Sequence, residues 1–276
     1  MMIDSHCHLL KEDYENKEEV IKKMKDNIII VSGASPKDID EIIELINNYK
    51  NIYATIGIHP EFASTYTEED LLKVEKSLTH PKVVGIGEIG LDYHYGKENK
   101  EKQKELFIKQ INLANTYNKT IVIHSRDAKE DTYNIIEKYK AKNINCNMHC
   151  YSYDLEMAKK ITSQGITLGI GGILTFKNEK NLKEIVRTLD LSNFLLETDS
   201  PYLSPEPLRG KQNEPYNIIY VAKKIAELKD ITLEKVLEET TKNTLRQFVI
   251  KRWKTRQNID FKRQKWYTVN GFNFEN

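Results

Sequence analysis

A chain of 276 residues with 39% hydrophobic and 30% charged residues has the balance of an ordinary globular protein, long enough to bury a full core. Its net charge is +1, and no apolar run reaches the ~18 residues of a membrane-spanning helix. Three cysteines (Cys7, Cys146 and Cys150) are an odd number without a Cys-x-x-Cys pair, which excludes a disulfide framework and suits a reducing compartment.

The first residues enter a strand pattern with no signal-like segment, so a cytoplasmic location is expected. The opening stretch, Met2-Ile3-Asp4-Ser5-His6-Cys7-His8, ends an apolar run on two histidines spaced by one residue. Residues i and i+2 of a strand share a face, so His6 and His8 can aim both imidazoles at one point, as metal chelators do. Seven further runs rich in Ile, Val and Leu read as strands: 28–32, 52–58, 83–87, 120–123, 144–148, 166–170 and 194–196. With 3–5 as the first, their ends fall near His6, Gly33, His59, Glu88, His124, His149, Gly171 and Asp199, recurring every 22 to 36 residues. That interval accommodates a strand, a loop, a helix and a return.

Helical patterns lie between them. Ser35-Pro36 predicts an N-cap and first helical residue, with Ile39, Ile42, Ile43 and Ile46 on one face. Thr67-Glu68-Glu69-Asp70 opens another helix with acids against its dipole. Phe107, Ile111 and Ala114 form an apolar stripe on the next long one, and Thr232 caps a helix near the end. Eight alternations of apolar strand and amphipathic helix predict a parallel sheet covered on its outer face. Its simplest form is a single (β/α)8 barrel over residues 1–250, with an open doubly wound sheet as the alternative.

Active sites of such barrels sit at the C-terminal strand ends. His6, His8, Glu88, His124, His149 and Asp199 all stand at or beside such ends. Four imidazoles and two carboxylates are too many for one tetrahedral ion and suit two sharing a bridge. The reading that follows gives one ion to His6 and His8 and the other to His124 and His149. Glu88 would bridge them, and Asp199 would ligate the His6/His8 ion or accept a proton from the attacking water. The reaction class is metal-assisted hydrolysis.

Ile3-Asp4-Ser5-His6-Cys7-His8, Ile56-Gly57-Ile58-His59-Pro60, Gly87-Glu88-Ile89-Gly90-Leu91-Asp92-Tyr93, Ile123-His124-Ser125-Arg126-Asp127-Ala128, His149-Cys150-Tyr151 and Glu197-Thr198-Asp199-Ser200-Pro201-Tyr202-Leu203 resemble, in order, the signature blocks of the TatD family of metal-dependent deoxyribonucleases. The resemblance runs from residue 2 to about Phe248. It implies a TIM barrel with two divalent metals, a 3′-to-5′ exonuclease preferring single-stranded DNA, and a link to DNA repair. It also implies magnesium dependence, whereas four imidazoles suit zinc, manganese, cobalt or iron better. A transition metal as isolated, with magnesium or manganese supporting turnover, is the expectation.

Other positions carry secondary roles. Arg126 could grip a phosphate. Leu208-Arg209-Gly210-Lys211-Gln212-Asn213-Glu214-Pro215 resembles a family loop in which Arg209 and Lys211 could contact phosphate, with Glu214 orienting Arg209. His59 and His94 are candidate substrate contacts, His80 a surface residue, Glu197 a structural partner, and Cys150 an inert buried thiol. Residues 251–276 hold seven lysines and arginines against Asp260 and Glu275, interleaved with both tryptophans. This basic, aromatic extension either packs on the barrel or holds single-stranded nucleic acid. The expected partner is single-stranded DNA, with no membrane, no obligate protein partner and a monomeric state. The rivals are a barrel hydrolase of a small phosphoester, lactone or amide, an aminoacyl-RNA ester hydrolase, and a nucleic-acid binder acting through the extension.

Overall fold

The computed structural model describes residues 1–94 and 99–251. The boundary drawn after residue 250 and the reading of the extension therefore lie outside the described residues. The elements alternate as expected: β1 (Ile3–Cys7), α1 (Lys17–Lys23), β2 (Ile28–Gly33), α2 (Ile39–Asn48), β3 (Ile52–Ile56), α3 (Glu68–Ser77), β4 (Val83–Asp92) and α4 (Lys100–Tyr117) form the first half. β5 (Thr120–Arg126), α5 (Lys129–Tyr139), β6 (Cys146–Met148), α6 (Leu155–Thr162), β7 (Thr167–Ile170), α7 (Asn181–Thr188), β8 (Phe194–Leu196), α8 (Ile218–Lys229) and α9 (Leu233–Gln247) form the second.

All neighbouring strands pair in parallel, in the order β1 to β8. Past the end of β8, Asp199 N–H donates to His6 O at 3.0 Å and His8 N–H donates to Ser200 O at 2.7 Å. The buried Asp4 carboxylate accepts from Thr198 N–H at 3.0 Å and from its hydroxyl. These bonds bring the eighth strand back to the first, and the fold is a (β/α)8 barrel. The open-sheet alternative is set aside.

Local chemistry accounts for the helix starts. Thr67 and Asp70 make a reciprocal capping box at α3, and Thr232 Oγ1 accepts from Lys235 N–H at 3.2 Å. Ser35-Pro36 does not start α2. Asp38 Oδ2 instead accepts the N–H groups of Ala34 and Ser35 at 3.3 and 2.9 Å, folding residues 35–38 into a turn that delays the helix to Ile39. Ile42 and Ile46 still face the core, while Ile43 is only half-buried.

Phe107, Ile111 and Ala114 of α4 join the large apolar layer between strands and helices. A smaller cluster gathers Ile3, Ile28, Ile30, Val122 and Leu195 around Phe248 and Ile250, which follow α9. Ile3 and Ile28 open their strands, so this cluster is the apolar floor of the barrel. Hydroxyls lie nearer the other end, where buried Ser32 and Thr55 share a 2.7 Å hydrogen bond. No helix among the described residues is long and apolar enough to cross a membrane.

Candidate metal centre

The strand ends converge on a cavity of about 920 Å³, whose polar lining comes mainly from the ends of β1, β3, β4, β5, β6 and β8. Glu88 sits at its base, 5% exposed and in reach of five imidazoles. Its Oε1 lies 2.8 Å from both His124 Nδ1 and His149 Nε2, and 3.8 Å from His59 Nε2. Its Oε2 lies 3.6 Å from His6 Nε2 and 3.9 Å from His8 Nε2. Asp199 Oδ1 stands 3.6 Å from the same two nitrogens. The predicted set of His6, His8, Glu88, His124, His149 and Asp199 is therefore assembled in space, with Glu88 between its two halves.

Close approach of β4 and β5 makes this possible. A Cβ on Gly90, whose φ is +147°, would fall 1.9 Å from His124 O, so only glycine lets the two ligand-bearing strands meet there. The sequence ends the fourth strand at Gly87. In the structure β4 runs on to Asp92, and Asp92 Oδ2 reaches His124 Nε2 at 3.1 Å. Glu88 and Asp92 are four residues apart on one strand, an even spacing from which their shared face could have been read.

The charges are strongly coupled. Burial favours neutral Glu88, but the flanking His149, His124 and His6 outweigh it and hold its carboxyl well below the usual range. Burial also opposes charge on His8 and His124. The adjacent carboxylates, Asp199 and Glu88 for the first and Asp92 and Glu88 for the second, overcome it and raise both to about 9. Burial wins at His6 and His59, each lowered to about 4.

His6 Nε2 tests whether this donor set fits a cation. It is buried without a hydrogen-bond partner among the described residues, yet two carboxylate oxygens face it at 3.6 Å. That is too long for a hydrogen bond and consistent with ligands converging on an ion between them. Three groups, His6/His8/Glu88, His6/His149/Asp199 and Glu88/His124/His149, each place one donor atom per residue within 4.8 Å of the others. A further group, His59/Asp92/His124, shares His124 with them.

The predicted substrate contacts divide. His59 and Arg126 line the cavity. His59 Nδ1 accepts from Glu61 N–H at 3.3 Å, leaving Nε2 to face Glu88. His94 lies outside the lining, 42% exposed, with Nδ1 3.0 Å from Asp127 Oδ2. Arg209 and Lys211 also stand outside it. The Arg209 guanidinium lies over the Phe176 ring at 4.2 Å, and Glu214 pairs with Lys23 rather than Arg209. The residue of that loop that serves the site is Asn213, fully buried, whose Nδ2 donates to Thr198 O at 3.0 Å and Tyr202 O at 2.7 Å. It braces the turn that carries Asp199. His80 is a surface residue, 3.1 Å from Asn47 Oδ1. Cys150 is half-buried on the cavity wall rather than buried as expected; desolvation and the nearby Asp199, Glu197 and Glu88 carboxylates push its thiol well above the ordinary value.

Barrel and donor set together define a metal-dependent hydrolase. The chain belongs to the TatD family: residues 3–249 match the family described as TatD related DNase. It is 44% identical over 254 residues to the uncharacterized metal-dependent hydrolase YabD of Bacillus subtilis, covering 91% of this chain and all of that one. It is 34% identical over 263 residues to the uncharacterized metal-dependent hydrolase YcfH of Escherichia coli K12, covering 90% and 96%. The crystal structure of YJJV, a TatD homolog from E. coli K12, superposes with a TM-score of 0.84 at 25% identity, covering 91% of this chain and 98% of that one.

Proposed function

We propose that the protein is a 3′-to-5′ exodeoxyribonuclease that hydrolyses phosphodiester bonds of single-stranded DNA at a two-cation centre. The observation that carries this reading is the Glu88 carboxylate set between two imidazole pairs, with Asp199 beside one of them. His6, His8 and Asp199 would hold one divalent cation, His124 and His149 the other, and Glu88 both. When bound, such a pair polarises a phosphoryl oxygen and yields hydroxide near neutral pH. Asp199 accepts the proton of the attacking water. Arg126 and His59, on the cavity wall, steady the phosphate and the leaving oxygen. A carboxylate at position 88, where many related barrels use a modified lysine, favours the nuclease reading, as does the family match.

Seven carboxylates, including Glu12, Asp13, Asp38 and Glu61 at the rim, line this cavity, and Arg126 is the sole lysine or arginine among its described lining residues. The bound cations must therefore supply most of the attraction for phosphate. The same acidity favours a second reading, hydrolysis of a small ester or an aminoacyl ester bearing a positive charge.

End-labelled single-stranded DNA incubated with metal-stripped protein separates the two. Mononucleotides released from the 3′ end only after magnesium, manganese or zinc is restored, and not by Glu88→Ala, are expected of the nuclease. Two metals bound per chain with no DNA cut would overturn it in favour of the small-ester reading. Removing residues 251–276 should leave the chemistry intact; loss of DNA binding without loss of hydrolysis would assign the extension a binding role.

A further inference from the structure

Each of the four clustered imidazoles turns one nitrogen toward Glu88 or Asp199 and the other away. In one half the outward neighbours are uncharged: His6 Nδ1 lies 3.2 Å from Ser32 Oγ, and His8 Nδ1 lies 3.1 Å from Ser32 O. In the other half they are carboxylates. His124 Nε2 lies 3.1 Å from Asp92 Oδ2, within hydrogen-bond reach, and His149 Nδ1 lies 3.7 Å from Glu197 Oε1, beyond it.

We propose that Asp92 and Glu197 are positioning residues that fix His124 as an Nδ1 ligand and His149 as an Nε2 ligand, and that only the cation of this half depends on them. This rests on the two-cation reading. A neutral imidazole carries one N–H, and the nitrogen that keeps it cannot bind metal. Asp92, as an anionic acceptor on the outer side, selects the His124 tautomer whose inner nitrogen is free and makes that nitrogen a stronger donor, while Glu197, beyond hydrogen-bond reach, acts on His149 through its field.

Both carboxylates are held for the task. Asp92 Oδ1 accepts from His94 N–H at 2.8 Å, which sets the plane of the group. Glu197 is fully buried, and its Oε1 accepts from Cys150 N–H, at a residue whose φ is +46°. Its Oε2 and the Nδ1 of His149 are both buried with no hydrogen-bond partner among the described residues. A buried carboxylate is costly without a proton or cation to answer it, and His149 is its nearest imidazole. The facing strand makes room for it: a Cβ on Gly169 would fall 2.1 Å from Glu197 Oε2. Packing alone would have filled that space with an apolar side chain.

The test is uptake of zinc and cobalt(II) by metal-stripped, full-length protein, followed by equilibrium competition with a chelator and by cobalt(II) absorption. Wild type should take two ions. Asp92→Asn and Glu197→Gln should weaken one of them about 10- to 100-fold and leave the other within about threefold. The ion retained should be lost on adding His8→Gln and kept on adding His149→Gln. Ser32→Ala should weaken the opposite ion. Equal weakening of both ions, or of neither, in a variant whose metal-free melting temperature matches wild type overturns the proposal. If Glu197→Gln fails to fold, Asp92→Asn, at the partly open end of β4, decides the outcome. Uptake of a single ion by wild type would instead sink the two-cation reading, and this inference with it.

Discussion

The His6/His8 half and the His124/His149 half of the centre are built by different means. The first lies on the seam where β8 meets β1, and the hydrogen bonds that close the barrel are the ones that position it, from Asp199 N–H to His6 O and from His8 N–H to Ser200 O. The second is gathered from β4, β5 and the segment after β6, and depends on a glycine contact between strands and on two outlying carboxylates. A site whose halves share one carboxylate but not one support can fail in halves.

Glu88→Ala removes the shared member and should have the largest effect. Hydrolysis of a nitrophenyl phosphodiester should fall by about 10³-fold or more, and chelator competition should show both ions weakened. Asp199→Asn acts mainly on the first half, with His149 as its nearest neighbour in the second. Its kcat should fall by about 10²-fold, while cobalt(II) spectra of the second half stay as in wild type.

Proton release comes next. His8 and His124, raised to about 9 by their carboxylates, carry protons at pH 7 that metal must displace, so metal uptake should acidify an unbuffered solution. The same shifts set the stability of metal-free protein. Histidines raised above the ordinary 6.5 stabilise the fold fully below that pH and lose the contribution as pH climbs through 9. His6 and His59, lowered to about 4, contribute above 6.5 and lose it as pH falls through 4. Metal-free melting temperature should therefore decline on both sides of about pH 6.5, and a bound cation should flatten the alkaline side. A monotonic profile would show that the imidazoles are not coupled as described.

The smallest effect concerns the thiols. Burial raises Cys146 to about 12 and Cys7 well above its ordinary value, so these two thiols should react with iodoacetamide at pH 8 far more slowly in native than in unfolded protein.

The first half of the site was the more legible in sequence, because His6 and His8 alternate on one strand and reveal their common face locally. The second half surfaced only as strand-end residues separated by 25 or more positions. Its outer carboxylates were harder to see for separate reasons. Asp92 was hidden because the apolar pattern of β4 breaks at Gly87-Glu88 while the strand itself continues to Asp92. Glu197 stood in plain view beside Asp199, but nothing local shows that Gly169, on another strand, clears a space for it. The eight strands were readable because a barrel strand is apolar on both faces. The start of α2 was not, because a side chain three residues downstream captured the backbone donors of the predicted cap.

Phe248 and Ile250 stopper the barrel at the end away from the metal ligands, and Lys251 follows directly on them. Lys251, the last described residue, therefore stands on the floor side, with the depth of the barrel between it and the cavity mouth. A probe attached at Lys251 itself would sit on the side of the barrel opposite the mouth that admits substrate.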